Sequence, residues 1–151
     1  MAGNPTHADA DLILKLYEAR REAEIRKART WWTATFWPQT SDDVMAVMRG
    51  MGTPENAWYR QVLGYWGMAV SFLLNGVLNE KLFYDPSFCG EMLFIYAKLE
   101  PFIAEIRSKT QNPLFLIAIE TAAKADLAKP RLELARKNAE GVRKARAEAK
   151  S

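Results

Sequence analysis

The chain is poor in the residues that most often do chemistry. Its 151 residues include one histidine, His7, and one cysteine, Cys89. A single histidine so near the N-terminus cannot build a multi-histidine metal site or an acid–base pair. A di-iron carboxylate site is excluded with it, because no Glu is followed three residues later by His. One cysteine cannot close an intramolecular disulfide, so a reducing, cytoplasmic setting is expected. Cys89 near a helix start has no histidine to act as its base, and a buried small residue is the simpler reading. The glycines at 50, 52, 64 and 67 match neither a phosphate loop nor a dinucleotide fingerprint. No catalytic, cofactor or metal constellation emerges, and the chain is read as a non-enzyme.

Long apolar runs are also scarce. The segment from Val62 to Leu78 is at the short limit for a bilayer helix and contains Ser71 and Asn75, so no membrane span is expected. Met1 to Asp11 is polar, without the basic start and apolar run of a secretion signal. No stretch combines strict alternation with hairpin chemistry, which leaves helical periods throughout.

What is present is the composition of an ordinary globular chain, 49% hydrophobic and 26% charged, with five Trp, five Tyr and seven Phe. The formal net charge of +3 is concentrated at the end, where Arg131 to Ser151 carries seven basic residues against three glutamates. One helical domain over 1–130 and a basic, helix-prone tail over 131–151 follow.

Punctuation divides the chain. Asp9 or Asp11 caps a first helix running to Trp37, with a charged, solvent-facing middle between Glu18 and Arg29. Ser41 opens a short helix over Val44 to Arg49. Thr53 and Pro54 start a long apolar helix that continues to Asn79. Asp85 and Pro86 start the next, Pro101 interrupts it, Asn112 and Pro113 restart the chain for Leu114 to Leu127, and Pro130 marks the last boundary. The expected architecture is all-α, an irregular bundle of about six helices around the central helix 54–79.

Two stripes are legible on that central helix. Tyr59, Val62 or Leu63, Trp66, Val70, Leu73 and Val77 form a bulky face, while Gly64, Gly67, Ser71 and Asn75 form a strip of small residues. Both are expected to be covered, the small strip by the helix's closest neighbour.

Two groups of residues are candidate binding surfaces. Trp31, Trp32, Trp37, Trp58, Tyr65 and Trp66 form a possible apolar pocket or interface, with core packing as the simpler alternative. Arg136, Lys137, Arg143, Lys144 and Arg146 form a possible anion-binding tail, although interspersed glutamates and the absence of aromatics weaken a nucleic-acid reading. Ala135, Ala139, Val142 and Ala149 lie on a heptad-like line suited to helix association. The leading expectation is a self-associating interaction or scaffold protein. The alternatives are a bundle binding a small apolar ligand, and nucleic-acid binding through the tail.

The order of motifs is informative as well. Leu16-Tyr17-Glu18-Ala19-Arg20-Arg21 leads to Arg26-Lys27-Ala28-Arg29, a Trp-rich stretch and Pro38. Tyr59-Arg60, Tyr65-Trp66, Gly76-Val77-Leu78-Asn79-Glu80-Lys81-Leu82-Phe83, Gly90-Glu91-Met92-Leu93 and Leu99-Glu100-Pro101-Phe102 follow. This order resembles a bacterial family of all-helical domains of unknown function, over roughly Leu12 to Leu127. The resemblance implies a helical fold and brings no activity, cofactor or site residues with it.

Overall fold

The structure, a computed structural model, describes residues 3–151 and is all-helical, with eight α-helices and no strand among the described residues. Met1 and Ala2, part of the polar N-terminal stretch, lie outside the described residues.

Thr6 caps α1 (His7–Ala19) in a reciprocal box: its side chain accepts from the Asp9 N–H, and the Asp9 carboxylate accepts from the Thr6 N–H at 2.8 Å. Asp9 therefore sits inside the first turn instead of capping it. The helix expected to reach Trp37 breaks at Arg20, whose side chain turns into the core and is 5% exposed. Glu22 restarts the chain as α2 (Ala23–Thr30) by accepting from the N–H groups of Glu24 and Ile25. A π-helical turn follows over Trp31–Thr35, closed by the Phe36 N–H on the Trp31 carbonyl at 2.8 Å.

Thr40, with Asp43, caps α3 (Ser41–Arg49), so the cap lies one residue before the expected serine. Thr53 caps α4 (Pro54–Leu74) with proline in its first turn, as its sequence requires. That helix stops at Leu74, because Gly76 takes a positive φ of 73° and turns the chain toward α5 (Glu80–Phe83). Asp85 caps α6 (Pro86–Thr110). The remaining elements are α7 (Ile117–Ala123), a single 3-10 turn over Asp126–Ala128, and α8 (Lys129–Ala149). The two extra helices relative to six come from the break at Arg20 and the short α5.

The most enclosed helix is α6. Every residue from Ile95 to Leu99 is buried, which requires cover on all sides, and α3, α5, α7 and α8 supply it. Pro101 does not interrupt it. The proline lacks the N–H that would bond Ala97, yet the helix continues through this exposed position, and Arg143 donates to the Lys98 carbonyl in the same turn at 3.2 Å.

By contrast α4 is covered on one side only, and the expectation of two covered stripes is corrected. Tyr59, Val62, Tyr65, Trp66, Ala69 and Val70 are buried, against α2, α3 and α7 among other elements. Gly64, Ser71 and Asn75 are exposed, and no heavy atom of a neighbouring element stands within 4 Å of a Cβ built on Gly64 or Gly67. Among the described residues no neighbouring element packs on the two glycines of this strip. The bulky face, at about 1.5–3 kcal/mol per fully buried large side chain, suffices to hold α4 in place.

Where the tail composition suggests a solvated segment, α8 is a continuous helix laid along α6. Leu132, Ala135 and Ala139 form its buried line, while Leu134 is 59% exposed. Small alanines let the two helix axes approach closely, so few large apolar residues are needed. Ala135 and Ala139 are thereby spent inside the chain and are closed to helix association between chains.

Candidate functional site

The six aromatic residues singled out above do not share one pocket. Trp32 and Trp66 are fully enclosed, Trp31 and Tyr65 are buried, and only Trp37 and Trp58 are partly exposed. Trp31 stacks on Phe36 with ring centres 4.5 Å apart, and Trp32 stacks on Tyr59 at 5.3 Å. Tyr65 and Trp66 belong to a second cluster, edge to face at 5.1 Å. Trp31 and Trp58 border a surface groove with Arg26, Lys27 and Glu55.

Each cluster encloses a cation that composition alone assigns to water. In the first, Lys98 is fully buried and its ammonium donates to the Trp32 carbonyl. In an α-helix that carbonyl would accept from Phe36 N–H. The π-helical turn gives this N–H to Trp31 instead, so the Trp32 carbonyl is left for the lysine. Four rings surround the ammonium, with Trp37 at 4.0 Å, Phe94 at 5.6 Å, and Trp32 and Phe36 at 6.0 Å. Burial, followed by the charges of Arg146 and Arg143, lowers the Lys98 amine to about 7.

In the second cluster the Arg20 guanidinium donates to the Tyr65 hydroxyl at 3.0 Å and to the Phe88 carbonyl at 2.9 Å. Tyr65 in turn donates to the Leu16 carbonyl at 2.7 Å. Burial raises the Tyr65 phenol, which keeps the proton this bond requires. Trp66 and Phe88 each lie 4.9 Å from the guanidinium carbon. The nearby carboxylate, Glu91, is committed elsewhere: it accepts from Trp66 Nε1 at 3.0 Å and from Arg29 Nε at 2.6 Å.

Sequence reasoning missed both cations. Arg20 falls four residues after the buried Leu16, so it continues that helical stripe. Lys98 lies inside a helix that is apolar on all faces from Met92 to Leu99, and a lysine in such a run has no polar side to occupy.

The five basic tail residues are distributed differently. Arg136 pairs with Glu100 and Glu133, and Lys144 with Glu140. Arg143 donates to the Lys98 carbonyl, and Arg146 donates to the Ala34 carbonyl at 2.8 Å while facing Trp37. Lys137 is exposed. Most of this charge ties α8 to the body of the protein and is not presented as a free basic surface. Cys89 is fully buried and its thiol is pushed up to about 11 by burial, the opposite of an activated nucleophile.

The remaining feature is the open face of α4. No charged residue occurs from Gln61 to Asn79, and along the exposed side Gly64 and Ser71 alternate with Met68, 43% exposed, and Leu74, 50% exposed. Among the described residues no group of histidine, cysteine, aspartate and glutamate is placed to hold a metal ion, and no helix is long and apolar enough to cross a membrane.

Residues 5–125 match the model of a domain of unknown function, DUF4760, and the chain belongs to that family. The match ends before α8. No curated protein and no solved structure matches the chain.

Proposed function

We propose that this member of the DUF4760 family is a non-enzymatic interaction protein that self-associates through the open face of α4. The observation that carries this reading is an uncharged helix face with an exposed Gly64 and a half-buried Gly67 and, among the described residues, no neighbouring atom within 4 Å of a Cβ at either to offset their cost. Mid-helix glycine costs roughly 1 kcal/mol relative to alanine, so two of them on an open face are better explained by a partner that needs the space. A second copy fits best. A neutral strip complements itself under a two-fold axis without requiring opposite charges, and the Met68 side chain of one copy can enter the shallow strip of the other. A reducing cytoplasm suits the lone buried thiol of Cys89.

Sedimentation equilibrium tests this directly. The wild type is expected to be a dimer and Met68→Glu a monomer, with matching unfolding midpoints in solution dilute enough for both to be monomeric, because Met68 is 43% exposed. A wild type that remains monomeric at every soluble concentration overturns the proposal.

A further inference from the structure

α8 is densely charged, yet one exposed side of it is not. Leu134, Asn138, Gly141 and Ala145 recur at three- and four-residue spacing and so share a face. All four are exposed, Leu134 at 59%, and none carries charge. This face is turned outward from the line of Leu132, Ala135 and Ala139 that packs inside the chain. Gly141 disfavours the helix it sits in, and a Cβ built on it meets no atom within 4 Å, so no packing inside the chain accounts for it.

The two ends of the same line carry opposite charges. Arg131 precedes Leu134 by three residues, and Glu148 follows Ala145 by three. Neither side chain forms an ion pair among the described residues. Each also opposes its own helix, because a cation in the first turn and a carboxylate in the last run against the helix dipole.

An antiparallel pair of α8 helices, with its two-fold axis midway between Asn138 and Gly141, resolves both features. Arg131 of one copy then lies opposite Glu148 of the other, Leu134 opposite Ala145, and Asn138 opposite Gly141. Each end charge meets its opposite and also the opposite end of the other copy's dipole, and each larger side chain meets a small one. The two ion pairs close the seam about 25 Å apart.

We propose that α8 is a second self-association surface, pairing antiparallel with α8 of another copy along Leu134, Asn138, Gly141 and Ala145, with Arg131 and Glu148 at its ends. A second copy is the occupant because the seam complements itself in size and in charge. An alanine and glycine strip offers a bilayer little apolar area to bury but lets another helix approach closely. α8 lies outside the residues that match the family, so this surface is an addition to the family domain. It does not depend on the α4 face. With one large apolar residue per copy the seam is the weaker contact, and it joins chains at higher concentration than α4 does. Two different two-fold contacts on one chain build tetramers or open strands.

Sedimentation equilibrium of the full chain, carried to high concentration in the wild type and in Met68→Glu, tests this. Met68→Glu should pair weakly, and adding Leu134→Glu should abolish that pairing with helix content by circular dichroism unchanged, since Leu134 lies outside the core. At low salt Arg131→Glu and Glu148→Arg should each weaken it by about tenfold, and the two together should restore it to within about twofold. Such mutual rescue requires a register that opposes these two residues. A double swap that recovers nothing overturns the proposal, as does pairing that Leu134→Glu leaves intact, or no pairing at any soluble concentration. Should Leu134→Glu lose helix content, the charge swap alone decides. Association that Met68→Glu leaves unchanged and Leu134→Glu removes supports this surface and overturns the α4 reading. A dimer that Met68→Glu removes, with no second step at high concentration, does the reverse.

Discussion

The ammonium of Lys98 lies 4.0 Å from the centre of the Trp37 ring, and the same ring meets the Arg146 guanidinium at 5.6 Å. One indole thus faces two cations from two helices. The π-faces and the Trp32 carbonyl offset part of the cost of burying Lys98, but among the described residues no carboxylate pairs with it.

That imbalance sets a pH dependence. With Lys98 lowered from 10.5 to about 7 by burial and by Arg146 and Arg143, the unfolded chain binds more protons than the folded one between those values. Stability should therefore rise with pH across that window, by at most about 1.4 kcal/mol per unit from this group. Below pH 7 both states are protonated and this slope is lost. Urea unfolding between pH 7 and pH 9 checks it: the rise should be present in the wild type and absent in Lys98→Met. Parallel profiles in the two proteins would exclude Lys98 as the source.

The open glycines make a prediction of opposite signs in two measurements. Alanine at position 64 or 67 meets no atom of a neighbouring element within 4 Å and removes backbone freedom from the unfolded chain. Gly64→Ala and Gly67→Ala should each stabilise the isolated chain by about 0.5–1 kcal/mol. Thermal unfolding in dilute solution should shift upward by roughly 1–4 °C for each. In concentrated solution the same substitutions should weaken self-association, because they fill the strip that a second copy enters.

Glu91 links three helices by accepting from Trp66 on α4 and Arg29 on α2. Glu91→Ala leaves the enclosed indole N–H and a partly buried guanidinium without acceptors, at a cost of about 2–4 kcal/mol. Glu91→Gln keeps an amide oxygen for one of them and should cost about 1–2 kcal/mol. Chemical denaturation gives the energies. Hydrogen exchange at the Trp66 indole should accelerate in Glu91→Ala and stay slow in Glu91→Gln; slow exchange in both would show that Glu91 does not hold the ring.

Much of the local architecture is legible in the residues themselves. Thr53 and Pro54, and Asp85 and Pro86, mark helix starts because capping depends on atoms within one turn. The same locality explains the small errors at Asp9 and Ser41, where Thr6 and Thr40 satisfy the first N–H groups instead. Pro101 reads as a break because propensity is local, while the helix through it is held by burial on all sides of the preceding turn.

The sequence alone determines that the chain is helical, where most helices begin, and that one histidine and one cysteine can form neither a multi-histidine site nor an internal disulfide. Tertiary structure decides which surfaces remain. Whether Gly64 and Gly67 meet a neighbour depends on where the other helices come to rest, not on the spacing of the glycines. Likewise Lys98 and Arg20 become buried cations only because rings from distant segments close around them. Burial is a property of what packs around a residue, and those neighbours are brought together by contacts far apart in the chain.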